Sequence, residues 1–371
     1  VNNWIVSLAA LAVVLAGAFA LPSAVWMLGL VALLGLAGVL MLQGNRWRTG
    51  SLLIAALALG LVLVDLVAGV FAPRAASEGL LQVHEPADWT VSDPELGYAA
   101  KPNTIVRHSA SFAGKPVYRV TYTIDQHGAR ATPTAAAGAD TYLFLGDSFV
   151  FGEGLEDDQS LAAQFARARG FKVRTANLAF SGYGPNHLVR AFETGRYDRY
   201  ADGKVKAVVT WIIPDHLRRV TGDASWLAYS PRYVLEDGKL RHTGTFNAHR
   251  WRNPLDGLLY LAGEQLAFVR AIGARQRQER QAELLVALLR RLQALARERL
   301  AAPLFVLYVG PRTPITERVL AELRQGGIEV MDVVEVTGGI PGDQLVIPHD
   351  GHPNAYQISL IATELSRRLA P

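Results

Sequence analysis

The sequence predicts an α/β protein in which an N-terminal segment of three membrane-spanning helices precedes a parallel sheet wrapped by helices. Three observations predict it. Residues 1–73 hold three long apolar runs and only three charged groups, Arg46, Arg48 and Asp65. From residue 141 onward, short apolar strand-like runs alternate with helical stretches, the pattern of a parallel sheet covered on both faces. Between these parts, residues 74–139 read as a linker followed by a small β element. The chain therefore divides into 1–73, 74–139 and 140–371.

The apolar runs are Trp4–Leu21, Ala24–Leu42 and Leu52–Phe71. Each approximates the ~20 residues that cross a hydrocarbon core. Pro22 and Ser23 punctuate the first two, and the Gln43–Gly50 stretch separates the second from the third. The chain starts Val1-Asn2-Asn3 with no basic cluster, and three runs follow, which is not the pattern of a cleaved signal peptide. Arg46 and Arg48 are the only cations between spans, so that loop is expected on the cytoplasmic side. The third span then delivers everything after Phe71 to the outside. Asp65, within the third run, either makes a packing or partner contact or reaches water near the outer end.

Val117–Asp125 is rich in β-branched and aromatic residues and reads as a strand, and Gln126-His127-Gly128 as a turn. Strands are then expected at 142–145, 172–180, 207–213, 304–309 and 328–334. Helices are expected at 161–169, 187–196, 258–300 (one or two), 314–325 and 355–369. Residues 221–256 read as irregular. Leu284, Leu285, Leu288, Leu289, Leu292 and Leu295 mark one apolar face of the long helix.

Composition narrows the chemistry. There is no cysteine, which excludes disulfides, thiolate metal sites and a cysteine nucleophile. The net charge of +4 is mild, its arginines are scattered along helices, and no nucleic-acid-binding signature is present. No cofactor or metal is expected.

Three loops carry reactive residues. Gly146-Asp147-Ser148 ends the first predicted strand of the sheet, where open α/β sheets bind ligands. Pro348-His-Asp-Gly-His-Pro-Asn354 precedes the closing helix. A serine nucleophile needs a base and the base needs an orienting carboxylate, and His352 and Asp350 supply both. The Asn177–Asn186 loop follows the second strand, and its glycines let a backbone N–H approach an oxyanion.

This set resembles the SGNH (GDSL) hydrolase family over about residues 140–370, which implies a flavodoxin-like sheet. The resemblance makes Ser148 the nucleophile, His352 and Asp350 its partners, and the amides of Ser148 and Gly182 oxyanion donors. Two features depart from the family pattern. The pair is spaced Asp-x-His rather than Asp-x-x-His, and the third block, usually Gly-x-Asn-Asp, is replaced by Ile213-Pro-Asp-His-Leu-Arg218. An ionised Asp215 cannot donate, so either His216 is the third donor or the site relies on its two backbone donors, with Asp147, Asp215, Arg218 and Asn354 as candidate site support. The Glu95-Leu-Gly-Tyr and Gly128-Ala-Arg130 segments also resemble membrane-tethered SGNH proteins of bacterial envelopes. That implies a multi-pass protein of the inner (cytoplasmic) membrane with its catalytic domain on the periplasmic side. It would be an esterase that removes acyl groups, typically acetyl, from an envelope glycan. An O-acyltransferase served by a membrane partner would use the same residues, and a non-catalytic polysaccharide-binding or scaffold protein is a third reading.

Overall fold

The computed structural model describes residues 24–369 apart from 43, 72–80, 134, 136–137, 202 and 266–270. The chain forms two compact units, residues 1–77 with 250–276 and residues 78–249 with 277–371.

In the first unit, the helices Ala24–Met41 and Asn45–Phe71 pack together. Their contact is made by small residues. A Cβ on Gly35 would sit 2.9 Å from Ala55 Cβ, and one on Gly38 2.7 Å from Ser51 Oγ, so the backbones approach too closely for larger side chains. Ala32, Ala55 and Ala58 are buried, whereas Leu33, Leu52, Leu53 and Leu57 are more than half exposed. Small residues in the contact and leucines facing outward are also features of helix pairs in membranes. One described helix, over Asn45–Val64, is long and apolar enough to cross a membrane. The predicted run Trp4–Leu21 and the side chain of Asp65 lie outside the described residues. The helix Pro254–Gln265 belongs to this unit, and the chain breaks before the helix Ala274–Leu300. Within the stretch expected as one or two helices, the described residues include the helices Pro254–Gln265 and Ala274–Leu300.

The second unit opens with five strands: β1 (Gln82–His84), β2 (Thr90–Asp93), β3 (Gly97–Ala100), β4 (Thr104–Phe112) and β5 (Lys115–Ile124). β1, β4 and β5 form an antiparallel sheet, and β2 pairs with β3. The small β element is therefore richer than the single strand expected. Next come β6 (Thr141–Leu145), β7 (Arg174–Asn177) and β8 (Val205–Ile212), a hairpin of β9 (Pro231–Glu236) and β10 (Lys239–Thr245), then β11 (Leu304–Tyr308) and β12 (Glu329–Asp332). The main sheet runs β7-β6-β8-β11-β12, every neighbour parallel. Numbered among themselves these strands are ordered 2-1-3-4-5, the flavodoxin-like order. Leu143, Phe144, Val208, Val209, Trp211, Val306 and Leu307 are fully buried, as central strands covered on both faces require. The order reverses beside β6, so the loops after β6 and β8 flank the switch point where such sheets bind ligands.

Candidate active site

The nucleophile loop leaves β6 at that switch point. Asp147 accepts the Phe149 N–H at 3.0 Å and caps the four-residue helix Ser148–Phe151. This turns the Ser148 hydroxyl towards the C-terminal loop, where His352 Nε2 lies 2.8 Å from Ser148 Oγ. On the far side of the ring, Nδ1 is hydrogen-bonded to Asp350 Oδ1, which also accepts the His352 backbone N–H at 3.2 Å. With its proton on Nδ1 held by Asp350, the ring offers a lone pair to the serine hydroxyl, the arrangement of a serine–histidine–aspartate triad. The sequence separation is 204 residues, and the fold closes it because both loops leave the carboxyl edge of the sheet. The loop is braced at His349, whose ring stacks on Phe112 of β4 at 3.8 Å, and at Phe149, 5.2 Å from the His352 ring.

Burial pulls the His352 pKa down, but the Asp350 hydrogen bond and the negative charges of Glu153, Asp350 and Asp147 more than offset it, so the ring titrates above an ordinary histidine. For Asp350 burial works upward, and the hydrogen bond and charge of His352 hold the carboxyl below its usual range. The carboxylate is ionised at neutral pH and steadies the imidazolium that forms during attack.

Among the described residues, the amides of Ser148 and Gly182 donate to no protein acceptor, which leaves them for a developing oxyanion. Gly182 has φ +79°, and a Cβ there would fall 2.6 Å from Tyr98 Oη and 2.9 Å from Trp226 Nε1. Only glycine fits this position.

His216 does not take the place expected of it. Its Nδ1 accepts the Ile213 N–H at 3.2 Å and its Nε2 faces Asp147 Oδ2 at 3.4 Å. The ring is occupied beneath the nucleophile turn and is not a free oxyanion donor. The reason is Asp147, a fully buried carboxylate. Burial alone would push its pKa up, but the hydrogen bond and charge of His216, the charge of Arg219 and the Phe149 amide hold it down. Arg219 donates to Asp147 Oδ2 and to the Tyr183 carbonyl, both at 2.9 Å. Asp215 also falls short of the catalytic groups, gripped by Arg218 Nε and Arg219 Nε at 2.7 Å each. Arg218 is half exposed and binds the Asp223 carbonyl. Asn354 caps the closing helix by accepting the Gln357 N–H at 3.0 Å, and it ties the loop to the Gln344 carbonyl at 2.8 Å. It supports the triad loop and does not touch the triad.

Two buried arginines escaped the sequence reading. Arg219 holds the nucleophile turn, as above. Arg130 holds the loop after Ser148: Nη1 donates to the Phe151 and Gly152 carbonyls at 2.7 Å, Nη2 to Leu155 at 2.6 Å, and Nε to Asp157 at 2.9 Å. Its guanidinium packs against both rings of the edge-to-face pair Tyr122 and Phe151. The Arg130 backbone also bridges to Asn177 at the end of β7, which joins the β element to the main sheet. The only available signal was Arg130's place in the Gly128-Ala-Arg130 segment.

No family model and no curated protein matches the chain. Among solved structures it is similar to TesA, with 15% identity over 62% of this chain and 99% of that one, at a TM-score of 0.37. It is similar to AlinE4, an SGNH-hydrolase family esterase, with 15% identity over 64% and 97% at 0.33. It is also similar to the salicylyl-acyltransferase SsfX3 of a tetracycline biosynthetic pathway, with 17% identity over 64% and 56% at 0.33. The chain's fold resembles that of the SGNH (GDSL) hydrolases among these structures.

Proposed function

We propose that the chain is a membrane-anchored serine esterase that removes acyl groups, acetyl foremost, from a glycan of the bacterial envelope, with its catalytic unit on the periplasmic side of the inner membrane. The observation that carries the enzymatic reading is the 2.8 Å contact from Ser148 Oγ to His352 Nε2, backed by Asp350. In the reaction, Ser148 Oγ attacks the ester carbonyl while His352 Nε2 takes its proton. The amides of Ser148 and Gly182 hold the oxyanion. His352 then protonates the departing sugar oxygen, and water, activated by the same ring, releases the acid from Ser148. The lipid-type packing of the two described apolar helices supports the anchor, and Arg46 and Arg48 support the orientation.

The test has two arms. Acetate release from an O-acetylated oligosaccharide should occur with the wild type and vanish in Ser148→Ala. A reporter fused after Pro371 should be active only outside the cytoplasm. A cytoplasm-active reporter would overturn the location, and acetate release unchanged in Ser148→Ala would overturn the mechanism.

A further inference from the structure

A cavity of about 490 Å³ opens beside Gly182, within the size range of small-molecule sites. It adjoins the triad through two residues. Gly182 is the oxyanion loop itself. Glu153 donates its backbone N–H to the Ser148 carbonyl at 3.0 Å, and its negative charge acts on His352. Ser148 and His352 do not line the cavity, which meets the triad's surroundings at Gly182 and Glu153. Its walls come largely from outside the catalytic sheet: Trp89 and Tyr98 from the β element, and Trp226 and Tyr229 from the segment before β9.

We infer that this cavity is a subsite for a sugar ring that carries no carboxylate, on the alcohol side of the ester; the inference rests on the esterase reading. The aromatic rings are the first ground. Trp226 and Tyr229 are 47% and 66% exposed, so their faces are not consumed by the core. Trp226 is aimed, because its Nε1 donates to the Gly182 carbonyl at 3.2 Å. Electron-rich ring faces seat the weakly positive C–H faces of a pyranose. The second ground is hydrogen bonding. Glu85 and Glu153 line the cavity, and carboxylates accept from sugar hydroxyls. Glu85 already accepts from Trp89 at 2.9 Å and Glu153 from Ser181 at 2.6 Å, and a fatty acyl chain would desolvate their remaining oxygens and give those no partner.

Charge supplies the exclusion. Among the described residues, no lysine or arginine lines the cavity. The guanidinium groups that stack on lining rings are already bound: Arg130, 4.4 Å from the Tyr122 ring, by Asp157, and Arg218 and Arg219, about 6 Å from the Trp226 ring, by Asp215 and, for Arg219, Asp147. The His108 hydrogen bond outweighs burial and holds Glu85 below the usual carboxylate range. A uronate would bring a negative charge against two carboxylates with no lysine or arginine among the described lining residues to meet it.

The test is binding without turnover. The full chain in detergent carries Ser148→Ala and is titrated by calorimetry with neutral tetrasaccharides of glucose, mannose and N-acetylglucosamine, and with tetragalacturonate. A neutral tetramer should bind, about tenfold more weakly in Trp226→Ala and in Tyr229→Ala, with tetragalacturonate weaker than any of these. Tyr229 is two-thirds exposed, so its variant folds even if the Trp226 variant does not. Equal or tighter binding of tetragalacturonate, indifference of neutral binding to both substitutions, or no binding of any neutral tetramer would each overturn the subsite. Binding as expected beside a wild type that cleaves no ester would leave the subsite standing and remove the esterase.

Discussion

Replacing Arg130 by Met should cost the fold about 4 kcal/mol and loosen the loop that carries Ser148. The side chain is fully enclosed, and four hydrogen bonds end on it. Methionine matches its length but donates nothing, so the Leu155 carbonyl loses its guanidinium donor, while Phe151 keeps the Asn177 amide and Gly152 keeps the Leu155 N–H, both at 3.2 Å. A buried unsatisfied acceptor costs ~1–3 kcal/mol, and breaking a buried ion pair costs ~3–5 kcal/mol. Asp157 is partly exposed and keeps the Thr123 N–H at 3.1 Å, so the lower part of that range applies. In a unit of this size such a loss lowers Tm by about 10 °C. Arg130→Lys should recover only part of it, because one ammonium cannot reach acceptors spread from residue 151 to 157. Differential scanning fluorimetry of the full chain in detergent reads the shift, and aryl-acetate hydrolysis below Tm reads the loop. A Tm within 3 °C of wild type in Arg130→Met would refute the reasoning, since it would mean that the Leu155 carbonyl finds water or that the arginine is not enclosed.

His352 must be neutral to take the serine proton, so kcat/KM should fall as pH drops through its raised pKa, with the acidic limb above pH 6.5. Removing the neighbouring negative charge in Glu153→Gln should move that limb to lower pH, and a limb that stays put or moves up would contradict the electrostatics. Gly182→Ala should lower kcat for aryl-acetate cleavage at least ~10-fold with a smaller change in KM, because the new Cβ collides with Tyr98 and Trp226 and displaces an oxyanion amide; steady-state kinetics checks it. Arg219→Leu leaves Asp147 buried with His216 as its remaining side-chain partner, and should cut both Tm and kcat. A fall in kcat with unchanged Tm would point instead to direct action on substrate.

Strands over 141–145, 205–212, 304–308 and 329–332 were legible because buried parallel strands are written as unbroken apolar runs, and the helix Pro314–Gln325 because Thr313 and Pro314 mark its start. The second strand was read three residues too long at its end. After Asn177 the chain leaves the sheet to build the Gly182 loop, and the Asn177 amide turns inward to the Val150 and Phe151 carbonyls, which hydrophobic pattern does not encode. The β9–β10 hairpin was read as irregular although Asp237-Gly238, both at positive φ, is a two-residue hairpin turn in plain view. Ser148, Asp350 and His352 could be named because nucleophile, base and orienter form a recognisable set. Arg130 and Arg219 could not, because a buried arginine is spelled like a solvated one and only the fold reveals its acceptors. His216 was misplaced for a related reason: its ring follows the demand of buried Asp147, and that demand appears only once Asp147 is seen to be enclosed.

The most direct measurement is covalent capture of the nucleophile. The full chain in detergent is treated with a fluorophosphonate, digested, and the adduct located by peptide mass spectrometry, with Ser148→Ala and His352→Ala alongside. One adduct on Ser148, absent in Ser148→Ala and formed much more slowly in His352→Ala, is the predicted result, because the hydroxyl reacts only when the imidazole removes its proton. No adduct, an adduct on another serine, or labelling of Ser148 at an unchanged rate in His352→Ala would contradict a working triad.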